Sequence, residues 1–297
     1  MDRDEATLGG EVVLAQPIVS VIIPTRNRPQ LLAEAIRSVQ AQTVTSYEII
    51  LAVNGPTNPA TPQILEIGAG HRVVRIAEEG IAVALNAGIG IARGEWLAFL
   101  DDDDLWEPNR LEAALKTASE TGADLIFCDV VIFNESGGVP APRTRPPANV
   151  SAREALTIRS YSGCSAAFAR RSAVLDVGGF DKAMVGPDWD LWMRLAWRFK
   201  VAWSDAYLVW LRQHARNSGL SWMSTSLATH RKALRTMPRD LWYIRPRVLW
   251  EMTRVIVKAA ESHVRRNWLS RVRPAKSRKT PTLRPPIDRA TPNTTSR

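Results

Sequence analysis

Residues 19–23 read Val-Ser-Val-Ile-Ile, and this short β-branched run stops at Pro24. A run of that length without alternation predicts a strand buried on both faces. Pro29 suits the first turn of a helix, and Leu32, Ala35, Ile36 and Val39 recur at the spacing of one helical face. The spacing therefore predicts an amphipathic helix over 30–42. Further along, strands are predicted over 47–53, 73–76, 96–100 and 124–133. Helices are predicted over 62–67, over 81–91 with Gly94 closing it, and from Pro108 to about residue 121. Strand alternating with helix predicts an α/β fold, a mainly parallel central sheet flanked by helices, with ligands held at the carboxyl ends of strands. Residues 134–150 are rich in Gly, Pro and Asn and are expected to be loop. A compact stretch returns over 159–210. Helices with interleaved Trp and Arg are expected over 228–270, and a helix over 189–199. Beyond Arg271 the Arg, Lys, Pro, Thr and Ser composition cannot build a core and predicts a disordered tail. The chain then divides into an N-terminal extension (1–16), a main domain (17–225), a helical amphipathic extension (226–270) and a basic tail (271–297).

Charge changes this picture in one respect. The formal net charge is +9 over 297 residues, with a pI near 10.0. Residues 244–297 hold 14 Lys and Arg against 3 Asp and Glu, a net of +11, which leaves −2 for everything before them. The basic character belongs to the C-terminal part. Over 247–269, Val248, Met252, Val255, Ile256, Ala259 and Trp268 share the chain with Arg254, Lys258, Arg265 and Arg266. Two readings stay open: a basic amphipathic helix on an anionic membrane surface, or a helix packed on the main domain with a solvated basic edge. No base-reading module accompanies the basic residues, so no specific nucleic-acid partner is expected. Cys128 and Cys164 fit no metal spacing and no disulfide framework, which favours a reducing compartment. The first residues mix charges without a signal-like pattern, and no apolar run is long enough to span a bilayer. A cytoplasmic location is expected, extended by the basic helix to the inner face of the membrane.

The predicted strand over 96–100 runs directly into Asp101-Asp102-Asp103-Asp104. Four successive carboxylates repel one another unless water or a cation neutralises them. Oxygen ligands suit hard divalent ions, and Mg2+ completes its shell with water and substrate phosphates, so Asp-X-Asp at a strand end suits a metal–diphosphate site. A solvated acidic turn, with Asp104 near the cap of the following helix, is equally compatible with the cluster alone.

Four segments in order widen the view. They are the opening strand through Pro24-Thr25-Arg26-Asn27-Arg28-Pro29; Gly80-Ile81-Ala82 through Leu85-Asn86-Ala87-Gly88 to Arg93-Gly94-Glu95-Trp96; Phe99-Leu100 with the four aspartates; and Gly178-Gly179-Phe180-Asp181 followed by Gly186-Pro187-Asp188-Trp189-Asp190. Together they resemble the family 2 glycosyltransferases of the GT-A fold, over residues 17 to about 220. The resemblance implies that Thr25 and Arg28 line a nucleotide pocket and that Asn54, Asn86, Asp101 and Asp102 belong to the donor side. It implies Asp103 as ligand of Mn2+ or Mg2+, with a late His214 reaching the metal or diphosphate. Asp188 would be the general base, with Trp189 beside it on the acceptor side. The reaction implied is inverting transfer from a nucleotide-diphosphate sugar to a hydroxyl-bearing glycan or lipid-linked acceptor, in cell-surface polysaccharide, glycolipid or glycoconjugate synthesis.

Three positions depart from the family pattern. Asn54 stands where the second strand usually ends in Asp, Pro187 stands where Glu often precedes the base, and Leu85 stands where Arg is frequent. By position alone Asp188 is also a candidate helix N-cap, and Asp190 is the second candidate base or a first-turn charge. Two other functions fit the chemistry less well. A metal-dependent nucleotidyltransferase calls for a Gly-rich, Lys-bearing phosphate loop, which Arg26-Asn27-Arg28 is not. A non-catalytic sugar-nucleotide-binding or membrane-docking protein has no need of the retained acids.

Overall fold

The computed structural model describes residues 16–142, 145–147, 149–161, 163–213, 219–269 and 283–286. The opening run forms β1 (Val19–Thr25), buried along its whole length in the interior of the sheet. Its parallel neighbours are β2 (Tyr47–Asn54) and β4 (Trp96–Phe99), and β3 (Arg72–Ile76) adds parallel to β2. Connecting them are α1 (Pro29–Gln40), α2 (Thr61–Ile67) and α3 (Ile81–Ile91), so this half is parallel, as the alternation predicts. Beyond β4 the sheet turns mixed. β5 (Leu105–Trp106), α4 (Arg110–Thr121), β6 (Leu125–Asn134), β7 (Gly137–Pro140), α5 (Ala152–Ile158), β8 (Ala167–Arg170), α6 (Arg171–Asp176), α7 (Pro187–Arg198) and β9 (Val201–Arg212) follow in the chain. The strand order is β3-β2-β1-β4-β8-β6-β9-β5, with β7 paired to β6. β8 runs antiparallel to both β4 and β6, while β9 returns parallel to β6.

Alternation along the strands sorts two cores. Val21, Ile23, Leu51 and Ala98 face α1 and α4, packing on Leu32, Ile36, Leu111 and Ala114. Ile22, Ile50, Leu97 and Phe99 face α3, α6 and α7, packing on Leu85, Ile89, Val174 and Trp192. The period of two across a strand dictates this sorting. Helix α3 lies so close to the sheet that a Cβ on Gly88 would stand 2.5 Å from Ile22 Cγ2, so this position tolerates no side chain without moving the helix.

After β9 come α8 (Gly219–Thr236), a short 3-10 turn (Arg239–Ile244) and α9 (Arg245–Leu269). They share a third core with the main domain. Ile158 of α5 and Trp189 and Met193 of α7 pack with Ala233, Met237, Leu241, Ile244 and Val248. The packed-helix reading of the C-terminal extension therefore holds for this face of α9. Two expectations are revised. Residues 137–140, expected as loop, form β7; and α7 begins at Pro187 with Gly186 as N-cap, so Asp188 is not the cap. The expected disordered tail lies outside the described residues except for 283–286, where Leu283 makes an antiparallel bridge to Gly138.

Candidate active site

Parallel pairing of β1 with β4 puts their carboxyl ends side by side, and the acidic cluster folds back against the loop after β1. Thr25 Oγ1 donates to Asp102 Oδ2 at 2.8 Å. Arg28 Nη1 donates to Asp103 Oδ2 at 2.7 Å and to Asp102 Oδ1 at 3.3 Å. The amide of Asp104 donates to the carbonyl of Asp101 at 3.1 Å, which closes the cluster into a turn. Ser165 ties both ends of that turn: its Oγ accepts from the Asp101 amide at 3.0 Å and donates to Asp104 Oδ2 at 2.6 Å. From the end of β9, Arg212 donates its amide to Asp104 Oδ1 at 2.9 Å and its Nε to the Asp103 carbonyl at 2.9 Å, while Nη2 pairs with Glu34 at 2.6 Å. Asp104 is thus held by β9 and the Ser165 turn, not at the cap of α4, which Asn109 occupies.

As a result Asp101, Asp103 and Asp104 each bring a carboxylate oxygen to within 4.8 Å of the others. Burial pushes Asp101 well above the usual carboxylate range, and the charges of Asp104, Asp103, Asp102 and Asp188 push it further. Asp104 is pushed up to about 7 by burial, against the Ser165 hydrogen bond, which favours the anion. Asp102 is raised by burial too, with Thr25 and Arg28 working the other way. Carboxylates crowded in this manner favour a proton or a cation among them. Three convergent hard oxygens fit a divalent ion of the Mg2+ or Mn2+ type, and they leave the remaining positions of its shell to water and phosphate.

Asp188 approaches the same place from α7. Gly186 adopts φ 70°, and a Cβ there would lie 2.4 Å from Thr225 Cγ2, so both the turn and the packing demand glycine before the helix. Pro187 fills N1, and Asp188 follows in the first turn. Burial raises the Asp188 carboxyl, opposed by backbone hydrogen bonds from Trp189 and from its own amide. Its charge is near enough to contribute to the raised value of Asp101. Asp190 points elsewhere. It is fully buried and paired with Arg194 Nη2 at 2.8 Å and Lys232 Nζ at 2.8 Å. Arg194 also donates to the Val177 carbonyl at 2.5 Å and the Gly179 carbonyl at 2.6 Å, and Lys232 pairs with Asp181 at 2.6 Å. Asp190 is a structural tie that fixes the 178–181 turn. Asp190→Asn removes the buried carboxylate that Arg194 and Lys232 share, leaving Arg194 the two carbonyls and Lys232 only Asp181, so it should cost about 3 kcal/mol of stability, read by urea denaturation.

Between the ends of β1 and β2 and the start of α3 lies an open cleft. Thr25, Arg28, Asn54 and Asp102 line it, with Asn54 Nδ2 donating to the Gly80 carbonyl at 3.2 Å. Arg26 and Glu79 line it too, joined by a 2.7 Å ion pair between residues far apart in the chain that no motif connects. Two expected residues are placed otherwise. Asn86 donates to the Phe180 carbonyl at 2.8 Å and accepts the Phe180 amide at 2.9 Å, so it clamps the 178–181 turn to α3 instead of lining the cleft. Trp189 is 4% exposed, donates Nε1 to the Leu156 carbonyl at 2.7 Å and packs edge-on against His230, so its ring belongs to the third core and not to an acceptor surface. Helical rotation turns it away from its neighbour Asp188. His214 lies outside the described residues. Ser165 and Asp104, which the sequence reading left out of the metal set, complete the cluster.

Comparison with known proteins bears on this arrangement. Residues 20–178, more than half of the chain, match the family model described as glycosyl transferase family 2. The chain is 29% identical over 175 residues to the glycosyltransferase AglE of Haloferax volcanii, a match covering 57% of this chain and 58% of that protein. It therefore spans less than two thirds of the length of that relative. Among solved structures, S. aureus TarS 1–349 in complex with UDP-GlcNAc superposes with a TM-score of 0.60 at 18% identity, covering 80% of this chain and 71% of that one. The mannosyltransferase PcManGT from Pyrobaculum calidifontis in complex with GDP-Man and Mn2+ superposes with a TM-score of 0.62 at 18% identity, covering 84% and 76%. At that identity the two structures speak for the fold.

Proposed function

Because this chain belongs to glycosyl transferase family 2, we propose that it moves a sugar from a nucleotide-diphosphate donor onto a hydroxyl acceptor with inversion at the anomeric carbon. The observation that carries this reading is the Asp101–Asp104 turn beside the cleft, with the charge of Asp188 near enough to help raise Asp101. In this scheme Thr25 and Asn54 border the nucleoside, and Arg28 lies where the diphosphate enters. Asp103 with Asp101 or Asp104 would hold a divalent ion, which would offset negative charge on the departing diphosphate. The raised Asp188 carboxylate takes the proton from the acceptor hydroxyl as its oxygen bonds to the anomeric carbon. The bond to the diphosphate breaks on the opposite face, which inverts the centre, and the electron pair leaves with the diphosphate.

Residues 17–225 form the transferase domain in this proposal, and the acceptor is a glycan or lipid-linked hydroxyl met in the cytoplasm or at the inner membrane face. The two solved neighbours bind different nucleotides, UDP-GlcNAc and GDP-Man, and here Asn54 replaces the usual carboxylate at the end of β2. An amide both donates and accepts, so the base is left to experiment. Thermal melting with UDP- and GDP-sugars, each with and without Mn2+, should single out one donor class by a metal-dependent rise in Tm. No rise with any sugar nucleotide would overturn the proposal.

A further inference from the structure

Helix α9 carries two apolar faces, and only one of them is covered. Val248 and Val255, seven residues apart, are buried against the domain. Leu249, Trp250, Ile256 and Val257 are 49–64% exposed. At a helical repeat of 3.6, positions 249, 250, 253, 256 and 257 fall on one continuous stripe, roughly a third of the circumference away from Val248. Trp242 and Tyr243, just before α9, are also exposed. So many large apolar side chains grouped in one short segment mark an interaction surface.

Cations border the stripe. Arg247, Arg254 and Lys258 lie along one edge of α9 by the same repeat, and Arg245 lies on the other with its guanidinium 5.3 Å from the Trp242 ring centroid. Arg254 and Lys258 meet Arg159 in a cleft where, among the described residues, Glu251 is the one acid and pairs with Arg254 at 2.6 Å. No helix among the described residues is long and apolar enough to cross a membrane, so α9 is suited to lying on a bilayer, not to spanning it. A second copy of the chain is a poor occupant, because pairing two such faces would bring their cationic edges together in a chain already carrying +9.

We propose that the Leu249–Val257 face of α9 seats in the interfacial region of an anionic bilayer, with Arg247, Arg254 and Lys258 at its phosphates. This sharpens the location given above and does not depend on which donor is used. Since Val248 of α9 shares a core with Trp189 and Met193 of α7, docking holds the Asp188 helix at a fixed height over the membrane surface, where lipid-linked hydroxyls reside.

The test is flotation of the full chain with phosphatidylcholine vesicles, with and without phosphatidylglycerol. The protein should float with the anionic vesicles only. Trp250→Glu with Ile256→Glu changes two exposed positions and should lower that binding at least about tenfold. Arg247→Glu with Lys258→Glu should abolish the preference for anionic lipid. Circular dichroism and the donor-induced Tm rise should be unchanged in both variants. Failure of the wild type to float with anionic vesicles, equal flotation of Trp250→Glu/Ile256→Glu, or a lipid-free dimer that this variant turns monomeric would each overturn the proposal. Flotation without any donor effect would instead count against the transferase reading alone.

Discussion

Asp188→Asn should lower sugar transfer by about a hundred- to ten-thousand-fold, the usual cost of losing a general base, and leave donor affinity unchanged. The amide copies the shape of the carboxylate but cannot take the acceptor proton. In the proposed scheme donor contacts come from the loops after β1, β2 and β4, whereas Asp188 stands on α7, held by Gly186 and Pro187. Because burial raises the Asp188 carboxyl, wild-type transfer should fail as pH falls through a value above the ordinary carboxylate range, and the variant should lose that limb of the profile. Single-turnover rates at several pH values with an identified donor decide this. The control is Asp190→Asn, whose damage should appear in urea midpoints while the folded fraction still turns over. A dead Asp190→Asn beside an active Asp188→Asn would reverse the assignment, and full activity in both would remove the general-base mechanism.

Asp103→Ala should weaken Mn2+ uptake and metal-dependent donor binding by more than about a hundredfold, since it deletes a ligand and not merely a supporting hydrogen bond. Calorimetry with Mn2+ and donor measures it, and wild-type behaviour in the variant would dismiss the site. A pH signature accompanies the effect. Asp104 in the folded protein holds its proton up to about 7, whereas the unfolded chain releases it near the ordinary value of 3.8. The native state binds more protons across that window, so metal-free stability should fall as pH rises through it. A metal must displace those protons, so its affinity should climb over the same window.

The periodic elements were readable because burial imposes a period on the residues themselves. The helix predicted over 81–91 is α3 without a change of bounds, and β1 and β2 differ from expectation by a residue or two. β7 escaped because Gly137 and Gly138 carry no pattern; a Cβ on Gly138 would stand 2.4 Å from Trp210 Cζ3, a reason for glycine that exists only once β9 is in place. The candidate site divides the same way. Its acids announce themselves as a run, but the tie from Asp104 to Ser165 joins residues far apart in sequence, and no spacing reveals it. Asn86 sits in a legible motif, yet only the fold shows its amide facing the Phe180 backbone. In α9 Val248, Val255 and Ile256 are alike in type, and packing separates the first two from the third.

Arg28 bridges Asp102 and Asp103, so the acidic turn carries its own counter-ion. A divalent ion arriving alone must compete with a guanidinium already in place. A donor arriving alone meets a guanidinium turned toward carboxylates. When the two arrive together, the displaced Arg28 exchanges carboxylate for diphosphate, and neither charge is stranded. Such an exchange makes metal and donor reciprocal effectors: each raises the affinity for the other by the same factor, as thermodynamic linkage requires. Replacing Arg28 by Gln should then raise affinity for the bare ion and shrink that shared factor, two opposite changes from one substitution that paired titrations would register.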